Sequence, residues 1–488
     1  MSHEELVSGH AAKLLDQALI DKHKLTESEL IAAAGSSAFR VISEEFPHYT
    51  DFDIFCGPGK NGLDGLNLAI NAKSAGHAVR VYLSEPNHSK NLLETLSFSE
   101  LKELDISVQS FDRFIPRKSI IVDAIFGVGI NRPLPREVEY TLRRINQLSN
   151  PKVAIDMPTG VNPSTGYIDT IAFRADLTIS FFAGKQGAFT GEGRSHSGKV
   201  LIDKLSLAVH DELTKFHSSK LESLKNLEDL LPIRQEYSNK LDYGHCLIVG
   251  GAPGFAGASL LACQAALRTG SGLVSLATHF SNSEGLISNQ PEIMLHRIKD
   301  AQQIDKIIGR VSVVGIGPGL GLSAWSRRTY EQLLEFNKPV VVDADAINLL
   351  AERPYFNDSR ILTPHSKEAG RLLGVSDLQV EFDRILSAEK IAEIYGGVCL
   401  LKGPGTVVAR LGRTTRVISG GNSGMASGGM GDLLTGIIAS LVGQGVTIFD
   451  AAILGASIHN QAADKAKNHG VRGMLPSDLL PLIRSLIK

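Results

Sequence analysis

Asp53-Ile-Phe-Cys-Gly-Pro-Gly-Lys-Asn-Gly-Leu-Asp-Gly65, followed by the amphipathic run Leu66 to Ala75 and the apolar run Val79 to Leu83, decides the fold of the first half of this chain. A short apolar run, a glycine-rich turn, a longer amphipathic run and a second short apolar run read as strand, helix, strand. The pattern continues with short apolar runs at Ile120 to Ala124, Val153 to Ile155 and Leu177 to Phe182, each followed by a Gly- or Pro-rich turn. Repeated β-α-β units predict a parallel sheet covered by helices, with ligands at the carboxyl ends of the strands.

Between Leu205 and Glu236 the chain turns polar, with Lys215, Lys220, Glu222, Lys225 and Glu228, and reads as a partly helical junction. A fresh alternation starts at Cys246 to Val249 and continues through Val311 to Val314, Val340 to Val342, Arg360 to Leu362 and Val398 to Leu401. It closes on the helical stretches Asp432 to Val442 and Ala451 to Ala466. Two domains are expected, over 1–215 and 225–488, and no fixed-period repeat relates them.

Composition narrows the function classes. The 488 residues are 43% apolar and 21% charged with 48 glycines, which fits a globular chain rich in tight turns. Lys plus Arg number 50 against 52 for Asp plus Glu, so no basic field steers the chain onto nucleic acid, and an anionic ligand needs a local site. Cys56, Cys246, Cys263 and Cys399 are widely spaced and read as buried small hydrophobes in a reducing compartment. Met1 to His10 lacks the basic start and apolar run of a signal peptide, and no apolar stretch nears the ~20 residues that span a bilayer. No membrane association and a cytoplasmic location are expected.

Gly57, Gly59 and Gly62 satisfy G-x-G-x-x-G between a strand and a helix, with Glu85 placed to meet a ribose, so a dinucleotide fingerprint and a plain tight turn are both open. Asp123, in Val122-Asp-Ala-Ile-Phe-Gly-Val-Gly-Ile130, and Asp156, in Val153-Ala-Ile-Asp-Met-Pro-Thr-Gly160, each read alone as a cap or turn residue. Three strand-end loops with Asn or Asp and glycine point to one shared cleft.

These loops resemble, in order, the G-x-G-N-N-G-G-D-G, V-D-A-x-F-G-x-G and D-x-P-S-G motifs of the NAD(P)H-hydrate epimerase family. The likeness spans Leu14 to Val200, including Leu30-Ile-Ala-Ala-Ala-Gly35 and Ala183-Gly-Lys-Gln-Gly187. It implies a Rossmann-like three-layer α/β domain with a potassium ion held by Asn61, Asp123 and Thr159, oxygen ligands suited to a hard cation. It implies substrate contacts from Lys60, Asn61, Gly62, Leu63 and Asp64, from Gly127, Val128, Gly129, Ile130, Asn131, Arg132 and Pro133, and from Asp156, which is also the catalytic residue. Lys60 stands where the family has Asn, Leu63 where it has Gly and Thr159 where it has Ser. Lys60 is expected to approach a pyrophosphate as a point charge, and Leu63 to be strained only if its φ is positive.

In the second half, Gly420-Gly-Asn-Ser-Gly-Met-Ala-Ser-Gly-Gly-Met-Gly-Asp432 runs directly into the apolar Leu433 to Leu441. Such a loop turns several N–H groups inward at a helix N-terminus, where a phosphoryl group can be received. Asp432 then stands as a base for an attacking hydroxyl, or as a plain N-cap. Leu401-Lys-Gly-Pro-Gly-Thr406 offers Lys402 and Thr406 to phosphates, or is a bare hairpin, and Thr363-Pro-His-Ser-Lys-Glu368 presents His365 and Glu368.

This half resembles the ADP/ATP-dependent NAD(P)H-hydrate dehydratase family, of ribokinase-like α/β fold, across Lys240 to Lys488. Further matches are Val249-Gly-Gly251, Gly257-Ala-Ser259, Arg268 to Val274, Pro291-Glu292, Gly315 to Gly321 and Asp343-Ala-Asp345. The resemblance implies substrate contacts from Ala258, Gly317, Gly319, His365 and the catalytic Asp432, and nucleotide contacts from Lys402, Gly403, Pro404, Gly405, Thr406 and Gly431. Together the halves imply a homo-oligomeric repair enzyme. It would epimerise R- and S-NADH hydrate and NADPH hydrate and dehydrate the S form at the expense of ADP or ATP with magnesium. The alternative is a ribokinase-like small-molecule kinase fused to a non-catalytic binding domain.

Overall fold

The first sheet is built of β1 (Asp51–Cys56), β2 (Ala78–Leu83), β3 (Ser107–Ser110), β4 (Ile120–Ala124), β5 (Lys152–Ile155), β6 (Leu177–Phe181) and β7 (Lys199–Asp203); its central strands β1, β4, β5 and β6 are buried on both faces, while the edge strands β3 and β7 are only partly covered. Phe52, Ile54 and Cys56 of β1 point into one hydrophobic layer and Phe55 into another, where it stacks on Tyr82 at 4.9 Å between centroids. The computed structural model describes residues 4–84, 95–129, 132–216, 219–288, 290–334 and 336–487. Glu85, Ile130 and Asn131, which the sequence reading singles out, lie outside them.

The chain divides into two units, Glu4–Lys220 and Leu221–Lys488. In the first unit all pairings of the main sheet are parallel, in the order β3-β2-β1-β4-β5-β6-β7. The order reverses between β1 and β4, and a crevice opens there at the carboxyl ends. Helices α1 (Gly9–His23), α2 (Glu27–Glu45) and α3 (Lys60–Ser74) pack on one face, and α4 (Arg136–Asn146) on the other. The buried Asp53 of β1 is neutralised by Arg80 at 2.8 Å and Arg117 at 3.2 Å.

In the second unit β8 (His245–Val249), β9 (Leu273–His279), β10 (Ile293–Ile298), β11 (Val313–Ile316), β12 (Val340–Val342), β13 (Arg360–Leu362) and β14 (Val398–Leu401) form a parallel sheet ordered β10-β9-β8-β11-β12-β13-β14. Two antiparallel strands, β15 (Thr406–Arg410) and β16 (Thr415–Ile418), extend it. One face is covered by α5 (Ala256–Thr269), α6 (Met430–Gly443) and α7 (Ile448–Ala466). Helix α6 is apolar almost all round because it is buried almost all round.

Most predicted strands fall within a residue of their observed bounds. The run Val311 to Val314 is a correction: the strand is Val313–Ile316, since Ser312 N–H bonds to His245 O ahead of the ladder. The polar junction is partly helical, as read from the sequence, with a helix at His210–Phe216 and short 3-10 turns at Leu224–Asn226 and Glu228–Leu230.

Candidate functional sites

At the crevice of the first unit the glycine loop is shorter than its sequence suggests, because α3 already begins at Lys60. Gly62 sits in its first turn, and a Cβ there would lie 1.9 Å from Gly57 O, so only glycine lets the helix close on the loop. Leu63 is helical and absent from the positive-φ residues, so the strain that a positive φ would bring does not arise; it packs against the core beneath α3. Lys60 points to the rim and pairs with Glu27 at 3.2 Å, both side chains exposed.

Below the rim, Asp123 ends β4 with its carboxylate accepting from Thr159 N at 2.7 Å, Thr159 Oγ1 at 2.7 Å and Ile125 N at 3.1 Å. Burial pushes Asp123 up to about 6 against the pull of these hydrogen bonds. Asn61 is buried, and neither polar atom of its side chain has a partner among the described residues. Gly127 lies against it: a Cβ at Gly127 would sit 2.9 Å from Asp156 Oδ2 and 3.1 Å from Asn61 Oδ1.

Asp156 has φ +64°, so the chain turns sharply after β5 and aims its carboxylate into the crevice; it caps no helix. One oxygen is bound by Lys185 Nζ and the other accepts from Val128 N at 3.3 Å. A cavity of about 470 Å³ collects Lys60, Asn61, Asp64, Gly127, Val128, Gly129, Asp156 and Lys185. Asp64 is held well above the usual carboxylate range by burial, then by Asp156 and Asp16. Arg132 and Pro133 do not reach this cavity; they line a separate depression of about 220 Å³ with Asn162 and Tyr167.

Among the residues lining the cavity around Asp156, Lys185 and Asp16 matter most of those the sequence reading did not assign to the site. Lys185 lies inside a motif noted only as a landmark, and Asp16 sits on α1, where no local pattern marks it. Burial pushes Asp16 up to about 6, with Lys185 opposing and Asp156 adding.

In the second unit Asp432 lies in the first turn of α6, whose N-cap is Gly429, so Asp432 is not the cap. No side chain caps this terminus, which leaves the turn a ready anion site. Lys402, leaving β14, places Nζ 2.7 Å from Asp343 Oδ1 and 3.9 Å from Glu368 Oε2. The buried Asp343 also accepts from Thr363 Oγ1 and Thr435 Oγ1, each at 2.8 Å. Gly431 joins this group, a Cβ there being 3.4 Å from Lys402 Nζ. Burial disfavours the Lys402 charge, yet Asp343, Glu368 and Asp432 raise its pKa above lysine's usual value. Burial and then Asp343 push Asp432 up to about 6 against Lys402.

Gly317 approaches the same strand end so closely that a Cβ would meet Asp343 O at 1.8 Å, with φ +125°. Ala258 faces Gly319, its Cβ 3.2 Å from where a Cβ on Gly319 would lie. His365 caps the helix Ser366–Leu373 through Nδ1, which accepts from Lys367 N and Glu368 N, so the neutral ring carries its proton on Nε2. The Lys402 to Thr406 loop is fixed from behind by the buried Arg384, which donates to Lys402 O at 3.0 Å, and by Thr406 Oγ1 donating to Gly403 O; Pro404 is exposed and Gly405 buried. The upstream Gly420 to Asn422 segment is tied instead to α7, Gly421 N and Asn422 Nδ2 donating to Asp464. His459, unmarked in sequence, is buried on α7 with Nε2 unpartnered among the described residues; burial and Lys402 lower it to about 4.

Two parallel α/β units, each with glycine loops and paired acids at strand ends, define a bifunctional nucleotide-handling enzyme class. Residues 246–485 match the family model described as NAD(P)H-hydrate dehydratase, and 27–187 the YjeF-related protein N-terminus. The chain is 36% identical over 465 residues to the bifunctional NAD(P)H-hydrate repair enzyme Nnr of Coxiella burnetii, covering 95% of each chain. It is 38% identical over 470 residues to the enzyme of the same name from Escherichia coli, covering 95% of this chain and 90% of that one. A ribokinase-like superfamily protein from Enterococcus faecalis matches with a TM-score of 0.51 and 25% identity, over 55% of this chain and 94% of that one. The chain belongs to the family of bifunctional NAD(P)H-hydrate repair enzymes.

Proposed function

We propose that the chain repairs hydrated nicotinamide nucleotides: residues 1–215 interconvert the R and S hydrates of NADH and NADPH, and 225–488 dehydrate the S form with ADP or ATP. The observation that carries this reading is Asp432, an acid raised by burial beside the uncapped N-terminus of α6 and facing the Lys402–Asp343 pair.

Hydroxide is a poor leaving group near neutral pH, so the ring hydroxyl is first phosphorylated. Asp432 accepts the hydroxyl proton while the oxygen bonds to the terminal phosphorus of the nucleotide and the nucleotide's own P–O bond breaks. Amides of Gly428 to Gly431 at the α6 terminus and Lys402 meet the charge on the transferring phosphoryl. Phosphate then departs as the ring nitrogen donates its electron pair, and loss of a proton from the neighbouring ring carbon restores the reduced nicotinamide. Lys402 to Thr406 with Gly431 hold the nucleotide, and Ala258, Gly317, Gly319 and His365 the substrate. Magnesium, as a charge partner of the nucleotide phosphates, would lower the negative charge that Lys402 and the α6 terminus have to meet.

In the first unit, Asp156, oriented by Lys185, exchanges the proton at the ring hydroxyl as that group leaves one face and water returns to the other. The oxygens of Asn61, Asp123 and Thr159 fit a hard monovalent cation, the unpartnered buried Asn61 side chain above all. A potassium ion held by Asn61, Asp123 and Thr159 would supply positive charge to the crevice. The enzyme acts in the cytoplasm as a homo-oligomer; among the described residues no helix is long and apolar enough to cross a membrane.

The test is to incubate purified protein with both hydrate epimers, with and without ADP or ATP, and follow reduced-nicotinamide absorbance, orthophosphate and epimer ratio. Phosphate retained on the product would overturn the dehydratase reading in favour of a kinase.

A further inference from the structure

A cavity of about 940 Å³, twice the volume of the one around Asp156, lies wholly among residues of the second unit. It is not at the carboxyl ends of the strands. Thr269 and Gly270, at the end of α5, and Gln444, at the end of α6, line it. The 14 residues of α6 at about 1.5 Å each put roughly 20 Å between this end and Asp432.

Three guanidiniums border the cavity, from Arg234, Arg268 and Arg484, against one carboxylate, Glu228. Helix C-termini carry partial negative charge, so an arginine here can serve the fold alone. Arg234 does so: it donates to Gly270 O and stacks over the Tyr243 ring at 4.0 Å. Thr269 O is also served, accepting from Gln444 Nε2 at 3.0 Å. Arg268 and Arg484 stand in the last turns of α5 and of the helix Pro476–Leu486, where a positive charge offsets the helix terminus, but both residues are exposed and their guanidiniums make no ion pair or hydrogen bond among the described residues. Leu231, Leu267 and Leu486 give the same cavity an apolar wall. Unspent guanidiniums suit phosphate oxygens, and the wall suits a hydrocarbon or aromatic body.

We propose that this cavity is a second, non-catalytic site for an organic phosphate with an apolar body, its phosphates on Arg268 and Arg484 and its body on the leucine wall. The site is independent of how Asp432 works, and its failure leaves the repair reading untouched.

Geranyl diphosphate is a suitable probe, titrated calorimetrically into the full chain with ADP saturating the nucleotide site. We expect binding that inorganic pyrophosphate and geraniol each match about tenfold or more weakly, since each carries half of the recognition. In the double variant Arg268→Gln, Arg484→Gln it weakens by about tenfold or more, with Arg268→Lys, Arg484→Lys intermediate and the melting temperatures unchanged. Absence of binding, equal binding of pyrophosphate, or unchanged affinity in the glutamine variant each overturns the proposal. Should the glutamine variant melt early, Leu267→Ala must weaken geranyl diphosphate and spare pyrophosphate, and failure of that separation is equally decisive.

Discussion

Replacing Asp432 by Asn is expected to stabilise the second unit while removing its activity. The carboxyl stands at about 6 rather than near 4, with burial the main cause and Asp343 the next. Folding therefore raises the pKa, and between pH ~4 and ~6 the folded state binds the proton that the unfolded chain has released. Stability falls as pH rises across that window, and above it the ionised carboxylate costs at most roughly 3 kcal/mol, at about 1.4 kcal/mol per tenfold in proton affinity. The first turn of a helix favours a negative charge by about 0.3–1 kcal/mol, which is smaller and opposite in sign. An Asn of the same size cannot ionise, so a net gain on the order of 1–3 kcal/mol is left, or roughly 2–10 °C for a unit of this length.

The assay is a melting series of both proteins from pH 4 to pH 8, alongside orthophosphate release. The variant should melt with the wild type at the acid end and above it at pH 8, with turnover lowered by about 10²–10⁴ as a lost general base requires. Wild-type turnover should fall below pH ~6 as the base is protonated. Turnover within a few-fold of wild type, or a variant that melts lower at pH 8, would refute the assignment of Asp432 as an ionised base held at a stability cost.

Four further outcomes are expected. Gly62→Ala forces a Cβ to within 1.9 Å of Gly57 O, so the first unit should lose about 1–3 kcal/mol or more and its melting transition should drop while that of the second holds. In an Asp432→Asn background, one purified hydrate epimer should convert to the other faster in potassium than in sodium, and Asn61→Leu should abolish the difference; conversion at the uncatalysed rate in potassium would show the first unit to be a binding domain. Lys60→Asn breaks only an exposed pair with Glu27, so stability should move by less than about 1 kcal/mol, while substrate binding should lose part of its salt dependence. A fragment beginning at Leu221, the start of the second unit, should be soluble and dehydrate the S hydrate, and loss of activity beside an active full chain would count against independent units.

The contrast between what local sequence displays and what it hides follows the range of the interaction. Strands and their glycine turns are legible because period-two burial and close approach are written into neighbours, as in Phe52 to Cys56 against Gly57 and Gly62. The family resemblance implied substrate contacts from Gly127 through Pro133, yet only Gly127 to Gly129 line the Asp156 cavity, and Arg132 and Pro133 line another depression. The charges that tune each site come from farther off. Lys402 meets Asp343 across 59 residues because two strands of one parallel sheet deliver their ends to one edge, and Lys185 meets Asp156 across 29 from the short strand Gly184–Lys185, which pairs with Glu4–Val7 outside the sheet that carries Asp156. Asp16 and His459 arrive on helices laid over that edge, with no glycine or acid pattern around them. A loop motif therefore names the groups that face the substrate, whereas the groups that set their protonation are fixed by sheet order, and substitutions at Lys185 or Asp343 should shift pH profiles more than they shift binding.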